Sequence, residues 1–256
     1  MNSDHLFDQL RSGDLRALSR AITLVENQRP GAKELLERIS ENTYSVPILG
    51  FTGPPGVGKS TLINAFVTHL RTLENRVAVV SVDPSSPLGG GAILGDRLRM
   101  NQHASDPDVF IRSIAARGHL GGLSPNISDI VSVLQAAAWD LILLETVGTG
   151  QSEVEIIGVA DVCLVVSCPG MGDEIQAMKS GILDISDVLV VNKADLPESE
   201  KTVRSLQGML KLREQSRQNV PVVETVATEG RGISELAKAV EGVRVKTSDS
   251  KGGHSK

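Results

Sequence analysis

The stretch that most constrains this chain is GFTGPPGVGKST, residues 50–61, where an apolar run breaks into glycines and resumes as a helix-forming segment. A strand, then Gly53-Pro54-Pro55-Gly56-Val57-Gly58-Lys59-Ser60, then a helix is the setting in which Gly-x-x-x-x-Gly-Lys-Ser/Thr acquires chemical meaning. The glycines let backbone amides turn inward around a phosphate, and the helix adds its unpaired N–H groups and positive end. Lys59 then reaches the outer phosphates and Ser60 offers a hydroxyl oxygen to Mg²⁺, with Thr61 completing the nucleotide-binding run. Such a loop belongs to a strand-to-helix crossover, so it predicts a parallel sheet rather than a hairpin-built one.

The rest of the chain agrees. Continuous Val/Ile/Leu segments read as strands at VPILGFTG, VAVVSVD, LILLE, VCLVVSC, VLVVNK and VPVVETVA. Helical patterns lie between them, from Lys59 to about Leu73 and over ISDIVSVLQAAA, DEIQAMKSGIL and SELAKAVEG. This is the pattern of an α/β fold, a mostly parallel sheet flanked by helices. Before it, residues 5–27 carry Leu6, Leu10, Leu15, Leu18, Ile22 and Val25 at helical spacing, and AKELLERIS follows. The expected organisation is a helical extension over 1–42, a nucleotide-binding domain over 43–243 and a disordered tail over 244–256, where KTSDSKGGHSK shows no periodicity.

Composition narrows the partners. Only 2 % of residues are aromatic, so aliphatic side chains must fill the core, as in a buried parallel sheet. A formal charge of −5 supplies no basic field for a nucleic-acid backbone, and phosphate must be met locally. The two cysteines, Cys163 and Cys168, form neither a disulfide framework nor a zinc spacing, which fits a reducing cytoplasm. No run approaches the roughly 18 apolar residues of a membrane span, and the N-terminus lacks a basic, then apolar, leader.

Which nucleotide is written in VLVVNKAD. Asn192, Lys193 and Asp195 fall at the C-terminal end of a strand, the edge where open α/β sheets bind ligands. A carboxylate at Asp195 can accept from guanine N1–H and the 2-amino group, a donor pair adenine lacks. Lys193 can lay its stem along the base, Asn192 can brace the loops, and Ala227, in VETVATEGRGI, is placed to turn a backbone N–H toward guanine O6. Three carboxylates complete the set. Asp83 ends VAVVSVD, Asp96 follows a three-glycine stretch, and Glu145 ends LILLE; with Ser60 they could gather about one nucleotide-bound Mg²⁺. Arg97 or Arg99 could offset phosphate charge, although surface ion pairing suits either at least as well. Gly148 can meet the γ-phosphate through its amide, while Gln151 lies three residues further on and is not assigned the attacking water. The loop AARGHLGGLS presents Arg117 and His119, and CPGMGDEIQAMKSG leads into a helix bearing Gln176 and Lys179, readable as a solvated face or as a switch.

Taken together, FTGPPGVGKST, VDPSSP, GAILGDRLRM, RGHLGGL, ETVGTGQSE, GDEIQAMKSGIL and VNKAD, in this order, resemble the MeaB/ArgK family of GTPases associated with methylmalonyl-CoA mutase and related cobalamin-dependent acyl-CoA mutases. The resemblance runs from about residue 9 to residue 242 and includes the helical preface. It implies a P-loop GTPase and a G-protein chaperone that gates cobalamin loading and protects its mutase, with GTP or GDP and Mg²⁺ as its own ligands and no cobalamin bound directly. Lys59, Glu145 and Gly148 then carry the hydrolysis, Ser60, Asp83, Asp96 and Glu145 group around the metal, and Gln176 and Lys179 fall in a switch that answers to the mutase. The absence of a Gln directly after Gly148 implies slow intrinsic turnover, accelerated by the partner. Family members commonly form a homodimer through a helical C-terminal extension; here the sequence ends in SDSKGGHSK, so dimerisation in that manner is not implied, and a G domain that pairs only on nucleotide or only with its mutase is compatible with the resemblance. The alternative reading is a metallochaperone GTPase for nickel enzymes, which would want Cys/His ligands where this chain has Cys168-Pro169-Gly170.

Overall fold

The computed structural model describes residues 3–42, 44–83, 101–103, 105–115, 127–146, 158–171, 183–212 and 219–252. Seven strands form one sheet: β1 (Ile48–Thr52), β2 (Val77–Asp83), β3 (Val109–Ala115), β4 (Leu141–Thr146), β5 (Val162–Ser167), β6 (Val188–Asn192) and β7 (Val222–Thr225). Every pairing is parallel and the spatial order is β3-β2-β4-β1-β5-β6-β7. The order reverses at β1, so the loop after β1 opens at the point where neighbouring connections leave to opposite sides, the place such sheets bind ligands.

Seven helices among the described residues flank the sheet: α1 (Ser3–Arg11), α2 (Leu15–Glu26), α3 (Ala32–Ser40), α4 (Lys59–Thr72), α5 (Ile127–Gln135), α6 (Ser199–Leu210) and α7 (Ile233–Gly252). They divide into two cores because strand side chains alternate. Val77 and Val79 of β2 and Leu141 and Leu143 of β4 pack with Leu62, Ile63 and Phe66 of α4 and Leu236 of α7. Their neighbours Ala78, Val80, Ile142 and Leu144 face the other way, onto α1–α3, α5 and α6. Phe66 meets Phe51 of β1 edge to face at 6.1 Å, a contact that adds about 1 kcal/mol to the area buried.

The N-terminal extension thus shares a core with the sheet. Its first helical run is two helices, because Gly13 takes a left-handed φ of 81° and Asp14 then caps α2, accepting from the N–H groups of Arg16 and Ala17. Arg112 of β3 ties the layer down, donating from Nη2 to Glu26 and Thr23 of α2, each at 3.1 Å. Strand β3, VFIRSIA, is absent from the strands expected from sequence; it is an edge strand with Arg and Ser inside it. At the other end, α7 runs to Gly252, past residue 244 where the expected tail begins. Ile233, Leu236 and Val240 anchor the first turns of this helix in the core, and each further residue of a formed helix adds a hydrogen bond.

The N-terminal edge of the sheet is held by carboxylates that accept N–H groups at or just before the strand starts: Asp140 from Arg76, Asp161 from Ile48 and Asp187 from Cys163. Nearby, Arg71 of α4 bonds Asp106 at 2.9 Å and Asp108 at 3.0 Å. The Arg71 hydrogen bond, followed by the Asp108 N–H, holds the Asp106 carboxyl below its ordinary range. Among the described residues, no helix is long and apolar enough to cross a membrane. The opposite, C-terminal edge carries the site.

Candidate functional site

The loop after β1 is shaped by its glycines. Gly53 has φ 138°, and a Cβ there would lie 2.1 Å from the Val166 carbonyl oxygen of β5, so only glycine lets the chain leave the sheet at this point. Gly58, at φ 92°, hands the chain into α4 with the first helical amides turned toward the loop. Lys59, the first residue of α4, is buried, and its Nζ folds back to the Gly53 and Pro54 carbonyls at 2.6 and 3.0 Å. The ammonium therefore closes the mouth of the same loop whose amides would receive phosphate. Pro54, Pro55, Gly56 and Val57 form the wall of that loop.

Behind the loop lies a buried polar cluster. Ser60 Oγ donates to Glu145 Oε1 at 2.7 Å, and Ser81 Oγ donates to Glu145 Oε2 at 3.1 Å. Parallel pairing of β2 with β4 places Ser81 directly opposite Glu145, and all three residues are buried. Because Ser60 gives its proton to the carboxylate, its lone pairs are the part of the hydroxyl left for a cation, and every donor here is oxygen. That set suits a hard ion such as Mg²⁺. Asp83 is the last residue of β2, two positions beyond Ser81. Asp96, Gly148, Gln176 and Lys179, with Arg97, Arg99, Arg117, His119 and Gln151, lie outside the described residues.

Asn192 joins the loop to the third part of the site. At the end of β6 its Nδ2 donates to the Val57 carbonyl at 2.9 Å, while its Oδ1 accepts from Thr225 Oγ1 at 3.1 Å and from the Ala227 N–H at 3.2 Å. Donors at one end and a carbonyl at the other dictate the amide's orientation. Lys193, at φ 57°, spans the same gap and donates to the Gly56 carbonyl at 2.7 Å. Beside them opens a cavity of about 220 Å³ lined by Gly58, Thr61, Asn192, Lys193, Asp195 and Ala227, among others. The structure thus brings Gly58, Thr61, Asn192, Lys193, Asp195 and Ala227 to one cavity. One detail differs from expectation: the Ala227 N–H is turned to Asn192, because the side-chain oxygen at the end of β6 sits beneath the turn that begins at Ala227.

Two residues of the site carry no motif. Ser81 is a lone hydroxyl inside VAVVSVD, and Thr225 is buried at the end of β7, with only its position two residues before Ala227 to mark it.

Known proteins resemble this chain over most of its length. Residues 18–256 match the family model described as methylmalonyl Co-A mutase-associated GTPase MeaB. A GTPase-named protein of Pyrococcus horikoshii is 44 % identical over 242 residues, covering 93 % of this chain and 76 % of the relative. The mouse mitochondrial methylmalonic aciduria type A homolog is 32 % identical over 252 residues, 91 % of this chain and 61 % of the relative. Among solved structures, a LAO/AO transport system kinase superposes with a TM-score of 0.74 at 27 % identity, covering 98 % of this chain and 82 % of that one. HypB from Helicobacter pylori, solved with nickel, superposes at 0.61 with 16 % identity, covering 84 % of this chain and 94 % of that one; at that identity the likeness is one of fold.

Proposed function

This chain belongs to the MeaB family of methylmalonyl-CoA mutase-associated GTPases, and from that premise we propose that it is a Mg²⁺-dependent, partner-stimulated GTPase that gates cobalamin loading and protection of an acyl-CoA mutase. The observation that carries the nucleotide part of this reading is the Asn192 bridge, which fixes a base-sized cavity lined by Asp195 against the phosphate loop. The relatives' names support GTPase activity; the mutase as partner is suggested by the family description and by the methylmalonic aciduria homolog.

In this reading the loop from Gly53 to Ser60 and the first amides of α4 receive the phosphates, and Lys59 exchanges the Gly53 and Pro54 carbonyls for phosphate oxygens. Asp195 accepts from guanine N1–H and the 2-amino group, and the Lys193 stem covers the base. Ser60, with Glu145 behind it, would hold Mg²⁺, which supplies charge neutralisation on the phosphate oxygens; Asp83 and Asp96 are proposed to join this set. Attack of water on the γ-phosphoryl releases phosphate and GDP, with Lys59 and the loop amides stabilising the charge that spreads onto the equatorial oxygens, and the Gly148 amide proposed to meet the γ-phosphate. Gln176 and Lys179 are proposed to transmit mutase contact to this centre. A homodimer is part of the proposal.

The test is co-purification with candidate cobalamin-dependent mutases, with and without a non-hydrolysable GTP analogue, alongside phosphate release. Nucleotide-dependent capture and mutase-stimulated release are expected. Turnover on the order of 10 s⁻¹ by the isolated protein, unchanged by any mutase, would refute partner gating.

A further inference from the structure

Glu145 is buried, and among the described residues it accepts side-chain hydrogen bonds from two different parts of the molecule, Ser60 beside the phosphate loop and Ser81 on β2. The second donor, Ser81, sits on β2 directly across from Glu145, on the sheet face shared with Val77 and Val79. Its exposure is 1 %, in a position where β2 otherwise presents valine to the α4 side. A hydroxyl in such a row costs desolvation unless it is bonded. Here it is bonded to one specific oxygen, Oε2, at 3.1 Å, while Oε1 receives Ser60 at 2.7 Å.

We infer that Ser81 is the positioning residue of the metal site: by holding Oε2 it fixes the rotation of the Glu145 carboxylate, so that Oε1 meets the Ser60 hydroxyl that would hold Mg²⁺. The inference rests on the Mg²⁺ reading proposed above. A carboxylate presents roughly four lone-pair sites, and a glutamate held at one oxygen alone can turn about its terminal torsion, which is broad and weakly restrained. Two donors on two different oxygens, one from the rigid sheet and one from the start of α4, leave a single orientation. The Ser60 hydroxyl is oriented by the same arrangement, because its proton is committed to Oε1 and its lone pairs must point elsewhere. Ser81 thus reaches no ligand itself and acts through Glu145. Preorganisation of this kind lowers the cost of assembling the cation site without contributing to the phosphate or base contacts.

The experiment is release of a fluorescent GDP analogue from the full chain as a function of Mg²⁺ concentration, for the native protein, Ser81→Ala, Glu145→Gln and the double variant, with GDP affinity in EDTA as the second readout. Loss of a hydrogen bond to a charged group predicts that Ser81→Ala raises the Mg²⁺ concentration at half-suppression of release about tenfold. GDP affinity in EDTA should change less than about twofold, and Ser81→Ala should add less than about twofold when Glu145→Gln is already present, because the coupled pair is then broken. A native Mg²⁺ midpoint in Ser81→Ala, an equal loss of affinity in EDTA, or effects that multiply independently in the double variant would each overturn the inference while leaving the Mg²⁺ reading intact. Release from the native protein that ignores Mg²⁺ would instead overturn that reading and the inference with it.

Discussion

Replacing Asn192 by aspartate changes almost no atoms and should nevertheless cost the fold heavily. The Oδ1 side is preserved, since a carboxylate oxygen still accepts from Thr225 Oγ1 and the Ala227 N–H, and those bonds become charge-assisted. The Nδ2 side is inverted: a donor 2.9 Å from the Val57 carbonyl becomes a second acceptor facing it. The lost bond and the carbonyl left bare amount to about 1–3 kcal/mol, and placing a charge at this buried position to about 3–5 kcal/mol. Against these, the two strengthened donors return about 1–2 kcal/mol. A net loss of about 4 kcal/mol follows, within the roughly 5–15 kcal/mol that a domain has to lose, so Asn192→Asp should fold but melt about 8–16 °C lower. The pH dependence has a definite sign. When protonated, the new carboxyl can donate to Val57 as the amide does, so its folded pKa lies above the unfolded value near 3.9. The deficit is therefore full at neutral pH and shrinks as pH falls toward that value. Urea unfolding at about pH 7 and about pH 5, with GDP titration alongside, measures both effects. A variant as stable as the native protein at neutral pH, with GDP affinity unchanged, would show that Asn192 does not hold the loop.

Asp195→Asn should weaken GTP by about 10- to 100-fold and favour xanthine nucleotides, because the amide offers a donor where guanine needs an acceptor; competition binding with both triphosphates reads this, and retained GTP affinity would remove Asp195 from the base site. Gly53→Ala places a Cβ 2.1 Å from the Val166 carbonyl and should destabilise by about 3 kcal/mol or more, whereas Gly158→Ala, with no heavy atom of the described residues within 4 Å of the added carbon, should stay within about 0.5 kcal/mol in thermal melts. Arg71→Met removes the group that depresses Asp106. The native pair contributes stability above the unfolded carboxyl value near 3.8 and loses it as pH falls through the lower folded value, so the variant should lose less between about pH 5 and about pH 3. Parallel acid unfolding curves for the two proteins would contradict this.

What the sequence made legible was local. The loop from Gly53 to Ser60 and the Asn192-Lys193-Asp195 group announce themselves because backbone geometry and base chemistry demand those residue types within a few positions. The central strands were equally plain, being unbroken aliphatic runs. Strand β3 was not, since its Arg112 looks like an interruption until Glu26 and Thr23, more than 80 residues earlier, are seen to receive it. Ser81 escaped for the same reason: its meaning depends on Glu145, 64 residues on, which only parallel pairing makes a neighbour. The orientation of the Ala227 N–H likewise depends on a side chain 35 residues away. Gly13-Asp14 was a stop-and-start signal within short range, and the helical periodicity on either side of it hid the break.

The alternation along β2 makes the chain intolerant of a change of frame. Val80 and Val82 serve the layer built by the N-terminal helices while Ser81, between them, serves Glu145. Sliding this strand one residue against β4 would drive a hydroxyl into aliphatic packing and set a valine against a buried carboxylate. An insertion or deletion of a single residue within β2 would therefore abolish both the anchoring of the preface and the chemistry of the loop, whereas substitutions at either position can harm one and spare the other.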